Sequence, residues 1–299
     1  MKILITGGNG QLGTDCLDIL GVSHECKSTD YQELDITNQN QVTSYLTATN
    51  PEVVINCAAY TAVDRCENDE AKCRAINAQG PANLATACNS VGARFIHIST
   101  DYVFDGKKPA PQYYQEQDPV HPLSVYGATK LQGELAAQHA ENHLILRPAW
   151  LYGIGGANFL KTMLRLAVAD PTRTIRVVDD QFGSLTWSYS LARQIAVVLD
   201  NDLQGIAHAT AEGYSNWYQA AKYFLQRMGV NHTIEPCTTS EYPTPAHRPG
   251  NSILENTRLK QAGKNVMRDW KEDVDLFIEK FREQLLTEAV AAAGKQAIP

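Results

Sequence analysis

The sequence predicts an α/β protein: a parallel sheet wound on both faces by helices, followed by a smaller C-terminal α/β lobe. Three observations predict it. Short apolar runs alternate with helical stretches through the first 150 residues. Those runs are apolar throughout rather than every second residue, as strands covered on both faces must be. A glycine-rich turn, Gly7–Gly13, follows the first run and opens the first helical stretch.

The elements follow in order. Lys2–Thr6 is a strand by its Ile and Leu content, and Gln11–Leu20 a helix. A second strand is expected to end at Asp30. Val53–Asn56 (Val-Val-Ile-Asn) is a buried strand, Ala71–Val91 a helix and Arg94–Ser99 another strand. Leu123–Glu141 is helical, and His143–Arg147 is a strand stopped by Pro148. Beyond residue 150 the alternation loosens. Asn158–Ala169, Ser188–Asp200 and Asn216–Met228 read as helices, with a strand near Ile175–Val178. Pro236–Pro249 is turn-rich, and Asp269–Ala293 is amphipathic, then alanine-rich, fraying at its end. No internal repeat or low-complexity linker interrupts the chain.

Composition narrows the function classes. A net charge of −7 argues against a general affinity for nucleic acid or anionic membrane, both of which need a basic face. The apolar run Val53–Val63 contains Asn56 and Thr61, and falls short of the ~20 residues of a bilayer span. The N-terminal apolar run is too short for a signal-peptide core. Seven cysteines are scattered without a CxxC pair, which predicts free thiols in a reducing cytoplasm and no structural zinc. His97 and His121 lack metal-ligand spacing and read as packing or loop residues.

The glycine turn carries the first functional signal. Gly7, Gly10 and Gly13 sit between a strand and a helix, where a pyrophosphate can approach bare backbone and a helix N-terminus. Asp30, 20 residues after Gly10, suits the adenosine ribose hydroxyls. The fold is therefore expected to be of the Rossmann type. Residues 1–150 would form the dinucleotide-binding core, to which the chain returns within 170–230, and 151–299 mainly the substrate-binding lobe. Asp30 disfavours a 2′-phosphate, and no arginine follows it, so the choice between NADH and NADPH leans to NADH.

Tyr126 and Lys130 form the second signal. At i and i+4 they share one helix face. A phenol titrates near ~10, and a cation ~4 Å away stabilises its anion by roughly 4 kcal/mol at an effective dielectric of about 20, or ~3 pK units. That would bring Tyr126 towards neutrality, where a general acid works best. The preceding strand ends in Ser99-Thr100-Asp101, at the sheet edge where open α/β folds hold ligands. Thr100 can donate to a carbonyl oxygen.

TGxxGxxG, a Ser/Thr before the helix and YxxxK together resemble the extended short-chain dehydrogenase/reductases. Ala58–Asp64, Ser99–Gly106, Arg147–Tyr152, Asp180–Gly183 and Tyr242–Ser252 narrow the resemblance to the dTDP-4-dehydrorhamnose reductase family. The resemblance implies hydride transfer from a nicotinamide to C4 of dTDP-4-dehydro-6-deoxy-L-mannose. Tyr126 would protonate the developing alkoxide, and Lys130 would lower the phenol's pKa and bind the nicotinamide ribose. Thr100 would polarise the carbonyl, Asp101 would lie beside the sugar and Trp150 against the hexose. Gly7, Gly10, Gln11, Leu12, Gly13, Asp30, Asp35, Ile36, Ala58, Ala59 and Tyr60 would contact the cofactor. Arg248 would recognise the diphosphate, since a guanidinium suits paired phosphate oxygens.

Some members of that family dimerise through magnesium held by three acidic positions. Asp15 and Glu288 match two, but the third is Tyr189, a poor ligand for a hard cation. No structural magnesium and a monomer or weak homodimer are therefore expected. Other readings stay open: an epimerase, a dehydratase, or a reductase acting on another 4-keto-6-deoxy sugar. A dehydratase would need an acid–base pair where this chain has Asp101-Tyr102. A non-catalytic subunit resembling the methionine adenosyltransferase β subunit is the remaining alternative.

Overall fold

The structure is a computed structural model and describes residues 1–294. A six-stranded, wholly parallel sheet forms its centre, in the order β2-β1-β3-β4-β5-β10. These strands are β1 (Lys2–Thr6), β2 (Glu25–Thr29), β3 (Val53–Asn56), β4 (Arg94–Ile98), β5 (His143–Arg147) and β10 (Gly205–His208). Successive side chains leave opposite faces of a strand, so each apolar run feeds two cores. Ile3, Ile5, Ile55, Ile96 and Leu146 pack against α1 (Gln11–Leu20) and α8 (Ser188–Leu199). Leu4, Val54, Phe95 and Ile145 pack against α2 (Gln39–Thr49), α5 (Gly80–Val91) and α6 (Val125–Ala137).

Helix ends are set by side chains. Asn38, Ser124, Asn158 and Asn216 cap α2, α6, α7 (Phe159–Ala169) and α9 (Trp217–Arg227), each accepting from a backbone N–H in the first turn. The stretch read as one helix over Ala71–Val91 is divided. After α3 (Val63–Cys66), α4 spans Glu70–Arg74, a π-helical turn occupies Ala75–Gln79, and α5 follows. The inserted turn carries Asn77, whose side chain bonds the Tyr60 backbone in both directions, at 2.8 and 3.1 Å.

A third hydrophobic core joins α7, α9, α11 (Trp270–Gly294) and strand β7 (Ile175–Val178), with Phe224, Trp187, Phe277 and Val274 at its centre. Two-residue strands, β6 (Leu151–Tyr152), β8 (Phe182–Gly183), β9 (Thr186–Trp187) and β11 (Ser215–Asn216), link this region to the sheet. The turn-rich reading of Pro236–Pro249 needs correction at its start. β12 (Ile234–Cys237) pairs with β7 alone, an edge position that tolerates Pro236. The short helix α10 (Thr257–Gln261) completes the elements. The last part of the lobe as read from sequence, 295–299, lies outside the described residues. No helix among the described residues is long and apolar enough to cross a membrane.

Two elements have weak sequence signals. α2 buries only Val42 and Leu46, and β2 lies at the sheet edge with only Thr29 buried. Arg94 shows the opposite case, a charged residue in a strand that lies in the interior. Its guanidinium donates to the carbonyls of Val198, Leu199, Asn201 and Leu203, closing the end of α8.

Candidate active site

The C-terminal ends of β1, β3, β4 and β5 open into two adjoining cavities. The first, about 230 Å³, is lined by Gly7, Gly10, Asp30, Asp35, Ile36, Cys57, Ala58 and Ala59, among others. Gly7 has a φ of +70°, and a Cβ there would lie 2.6 Å from the Ala58 nitrogen. A Cβ on Gly13 would lie 2.2 Å from the Gly7 carbonyl oxygen, so α1 sits directly on the turn. Asp30 follows β2 immediately, and its carboxylate accepts from the N–H groups of Asn9 (3.2 Å) and Tyr31 (2.7 Å). An acidic acceptor thus stands beside a glycine turn that has no side chain to obstruct a pyrophosphate.

The second cavity, about 380 Å³, adjoins the turn through Gly10, Gln11, Leu12 and Gly13 and extends to Thr100, Asp101, Tyr126, Lys130 and Trp150. β4 delivers Thr100 and Asp101 at its end, and α6 delivers Tyr126 and Lys130 on consecutive turns of one face. The Thr100 hydroxyl and the Tyr126 phenol line the same cavity, and Thr100 is the group that works against the upward shift of the phenol. Thr100 also donates to Asp101 Oδ1 at 3.1 Å. Burial raises the Asp101 carboxyl to about 6, against the lowering effect of the nearby Ser252 and Thr100 hydroxyls. Its Oδ2 is buried without a protein partner.

Lys130 is buried, and its Nζ donates to the Ile98 carbonyl at 2.5 Å. Burial pushes its pKa down to about 8, with the Glu134 carboxylate acting in the other direction. The phenol differs from the sequence expectation. Burial pushes Tyr126 up rather than towards neutrality, with Thr100 as the one opposing influence. The apolar seat disfavours the phenolate, and the ammonium is turned to a backbone carbonyl.

Trp150 adopts a φ of +48°, a costly conformation for a tryptophan. Its indole is held on two sides. It stacks on Trp217 with ring centroids 3.5 Å apart, and it covers Gly183, where a Cβ would fall 2.5 Å from Trp150 Cε2. Trp217 Nε1 donates to Gln181 Oε1 at 3.1 Å. Gln11 accepts from Asn158 Nδ2 at 3.0 Å, which binds the loop before α7 to the glycine turn.

Two expected residues are placed elsewhere. Tyr60 lines neither cavity and packs with Cys66, Cys73 and Tyr126 behind the wall. Arg248 also lines neither. Its fork is taken up by Asp64, at 2.9 and 3.0 Å, because that carboxylate offers two oxygens at its own spacing. Both Arg248 and Asp64 stand beside the second cavity, near its lining residue Tyr102.

Two residues of the cavity wall, Asn158 and Trp217, carry no sequence motif, and Glu134 behind it carries none either. Only the fold brings them to the site, so spacing gives no signal for them. His97 behaves as expected of a packing residue. Asn56 Nδ2 donates to its Nδ1 at 3.0 Å, and burial and Lys130 hold it neutral.

Comparison with known proteins agrees with this geometry. The model of the family described as RmlD substrate binding domain matches residues 1–283. A dTDP-4-dehydrorhamnose reductase of Burkholderia thailandensis is 37% identical over 95% of this chain and 100% of its own. The crystal structure of a dTDP-4-dehydrorhamnose reductase from Clostridium acetobutylicum superposes with a TM-score of 0.90 at 44% identity, covering 94% of this chain and 100% of that one. The Bacillus anthracis enzyme of the same name, in complex with NADP, gives 0.89 at 36% identity, over 93% and 99% of the two chains.

Proposed function

The chain belongs to the RmlD substrate binding domain family, and from that membership we propose that it is an NAD(P)H-dependent oxidoreductase of the dTDP-4-dehydrorhamnose reductase type. It reduces the C4 ketone of dTDP-4-dehydro-6-deoxy-L-mannose, which yields dTDP-L-rhamnose, the last step of dTDP-L-rhamnose biosynthesis. The observation that carries this reading is the meeting of Thr100, Tyr126 and Lys130 in a cavity continuous with the glycine turn.

The residues present fit a dinucleotide. A bare turn at Gly7–Gly13, the N-terminus of α1 and the Asp30 carboxylate supply what a pyrophosphate and a ribose need. Gln11 and Leu12 border the join between the cavities, Asp35, Ile36, Ala58 and Ala59 the outer one, and Tyr60 supports its wall. When bound, the nicotinamide supplies the hydride. Thr100 donates to the ketone oxygen and Tyr126 gives that oxygen its proton. A phenol pushed up by burial is fully protonated at neutral pH, as an acid must be before it acts. Lys130 then faces the phenolate left behind and offsets its burial. Asp101 holds a sugar hydroxyl, and the Trp150–Trp217 stack offers an apolar face to the hexose. Arg248 takes the diphosphate at the rim once Asp64 releases one of its bonds.

Asp30 favours NADH, because a 2′-phosphate would place a second anion against its carboxylate. The protein is a cytoplasmic monomer or weak homodimer without structural magnesium. Asp15 is buried against Ser188 (2.5 Å) and Glu288 is paired with Lys161 (2.8 Å), so both carboxylates have partners within the chain. The test is NAD(P)H oxidation on the dTDP-4-keto sugar. Turnover with that sugar and a lower KM for NADH are expected. No oxidation overturns the reaction, and a hundredfold preference for NADPH overturns the cofactor choice.

A further inference from the structure

Beneath the cavity floor lies a charged cluster that the chemistry above does not use. Glu134 is 1% exposed and stands one turn beyond Lys130 on α6, so Tyr126, Lys130 and Glu134 occupy successive turns of one face. Its carboxylate receives Arg147 Nε at 2.7 Å, Arg147 Nη2 at 2.6 Å and Ser99 Oγ at 2.5 Å. Ser99 lies between Ile98, whose carbonyl takes the Lys130 ammonium, and Thr100. Arg147 ends β5 and leads through Pro148 and Ala149 to Trp150. One carboxylate thereby joins the helix of the Tyr–Lys pair to the strand ends carrying Thr100 and Trp150.

The charges make this more than a brace. Lys130 and Arg147 are both cations in the interior, and a guanidinium does not give up its proton in a protein. The groups around Lys130 are Glu134 on its own helix, His97 on β4, Cys57 after β3 and Cys73 on α4; Tyr126 stands one turn before it on α6, and Arg147 on β5 is paired with Glu134. His97 is held neutral by burial and by Lys130 itself, and Arg147 is a guanidinium. Glu134 is the one carboxylate acting on Lys130 among the described residues, and its effect opposes that of burial.

We propose that Glu134 is a positioning residue that keeps the Lys130 ammonium charged in its buried seat, and with it the ability of the Tyr–Lys pair to carry negative charge after proton transfer. This rests on the reading of Tyr126 and Lys130 given above. Without the carboxylate, Arg147 stays charged, so the proton lost is that of Lys130.

The experiment is a pH titration of the Lys130 Nζ resonance in ¹⁵N-lysine-labelled full-length protein, assigned with Lys130→Arg. It compares wild type with Glu134→Gln and Glu134→Asp, with the melting temperature of each as the check on folding. In wild type the midpoint is expected near 8. In Glu134→Gln it should fall by about one pH unit or more, a tenfold loss of proton affinity. Glu134→Asp keeps the charge but withdraws it, and should move the midpoint less in the same direction. That variant decides the matter if the amide does not fold. The alkaline limb of kcat should follow: at pH 8 the charged fraction of the Gln variant would be about fivefold below wild type. A purely structural role would lower the melting temperature and leave the midpoint in place. Folded variants with an unmoved Nζ midpoint overturn the proposal. Wild-type protein that titrates as expected but does not reduce the keto sugar overturns the functional reading instead.

Discussion

Tyr126→Phe removes one hydroxyl from a buried ring in the cavity wall. The ring's packing with Tyr102, whose centroid lies 5.4 Å away, is retained, so the fold and cofactor affinity should persist. The lost proton donor should lower kcat by ~10²–10⁴-fold in the NAD(P)H oxidation assay. Unchanged turnover would remove Tyr126 from its role. Asp101 gives a second test at this scale. Its carboxyl titrates near 6 in the folded protein, above the ordinary carboxylate range. Between about pH 4 and 6 the folded state therefore binds more protons than the unfolded one, and Asp101 costs stability as pH rises through that window. Relative to wild type, Asp101→Asn should gain stability over the window, by at most ~3 kcal/mol. Urea unfolding at pH 4 and pH 7 measures this; a stability difference independent of pH would refute it.

At the scale of elements, short segments fix the sugar side of the site. β8 is two residues long, yet Gly183 within it is the floor on which the Trp150 indole rests. A methyl group there would meet ring atoms at 2.5, 2.7 and 2.8 Å. The indole cannot retreat, because Trp217 lies 3.5 Å behind its other face. Gly183→Ala should thus raise KM for the sugar nucleotide severalfold while cofactor affinity, measured by fluorescence titration, stays unchanged. An equal loss in both would mean that the substitution disturbs the fold as a whole. The glycine turn before α1 shows the same economy: Gly13 is small because the helix lies against the Gly7 carbonyl.

Across the whole molecule, the net charge of −7 gives no general attraction for a sugar nucleotide that is itself anionic. On the proposed function, binding would draw on local features: the N-terminus of α1, Lys130 in the wall of the second cavity and Arg248 beside it. Asp64, which holds Arg248 through two hydrogen bonds, would then set how readily the guanidinium meets a phosphate. The internal partners of Asp15 and Glu288 bear on assembly. Sedimentation should give a monomer or weak dimer with and without magnesium, and a magnesium-dependent dimer would contradict this reading.

The sequence by itself determined five of the six strands of the sheet, with β10 the exception, the glycine turn with Asp30 and the Tyr126–Lys130 pair, because each depends on neighbours close along the chain. Apolar runs declare strands, glycines declare a turn without side chains, and a spacing of four declares a shared helix face. Tertiary structure decided what depends on distant partners. It brought Trp217 onto Trp150, Asp64 onto Arg248, and Ser99, Glu134 and Arg147 into one buried cluster. It also reversed the expected pKa shift of Tyr126. Spacing along a helix reveals a nearby cation but not the loss of water around the phenol, and in this fold burial is the largest influence on it.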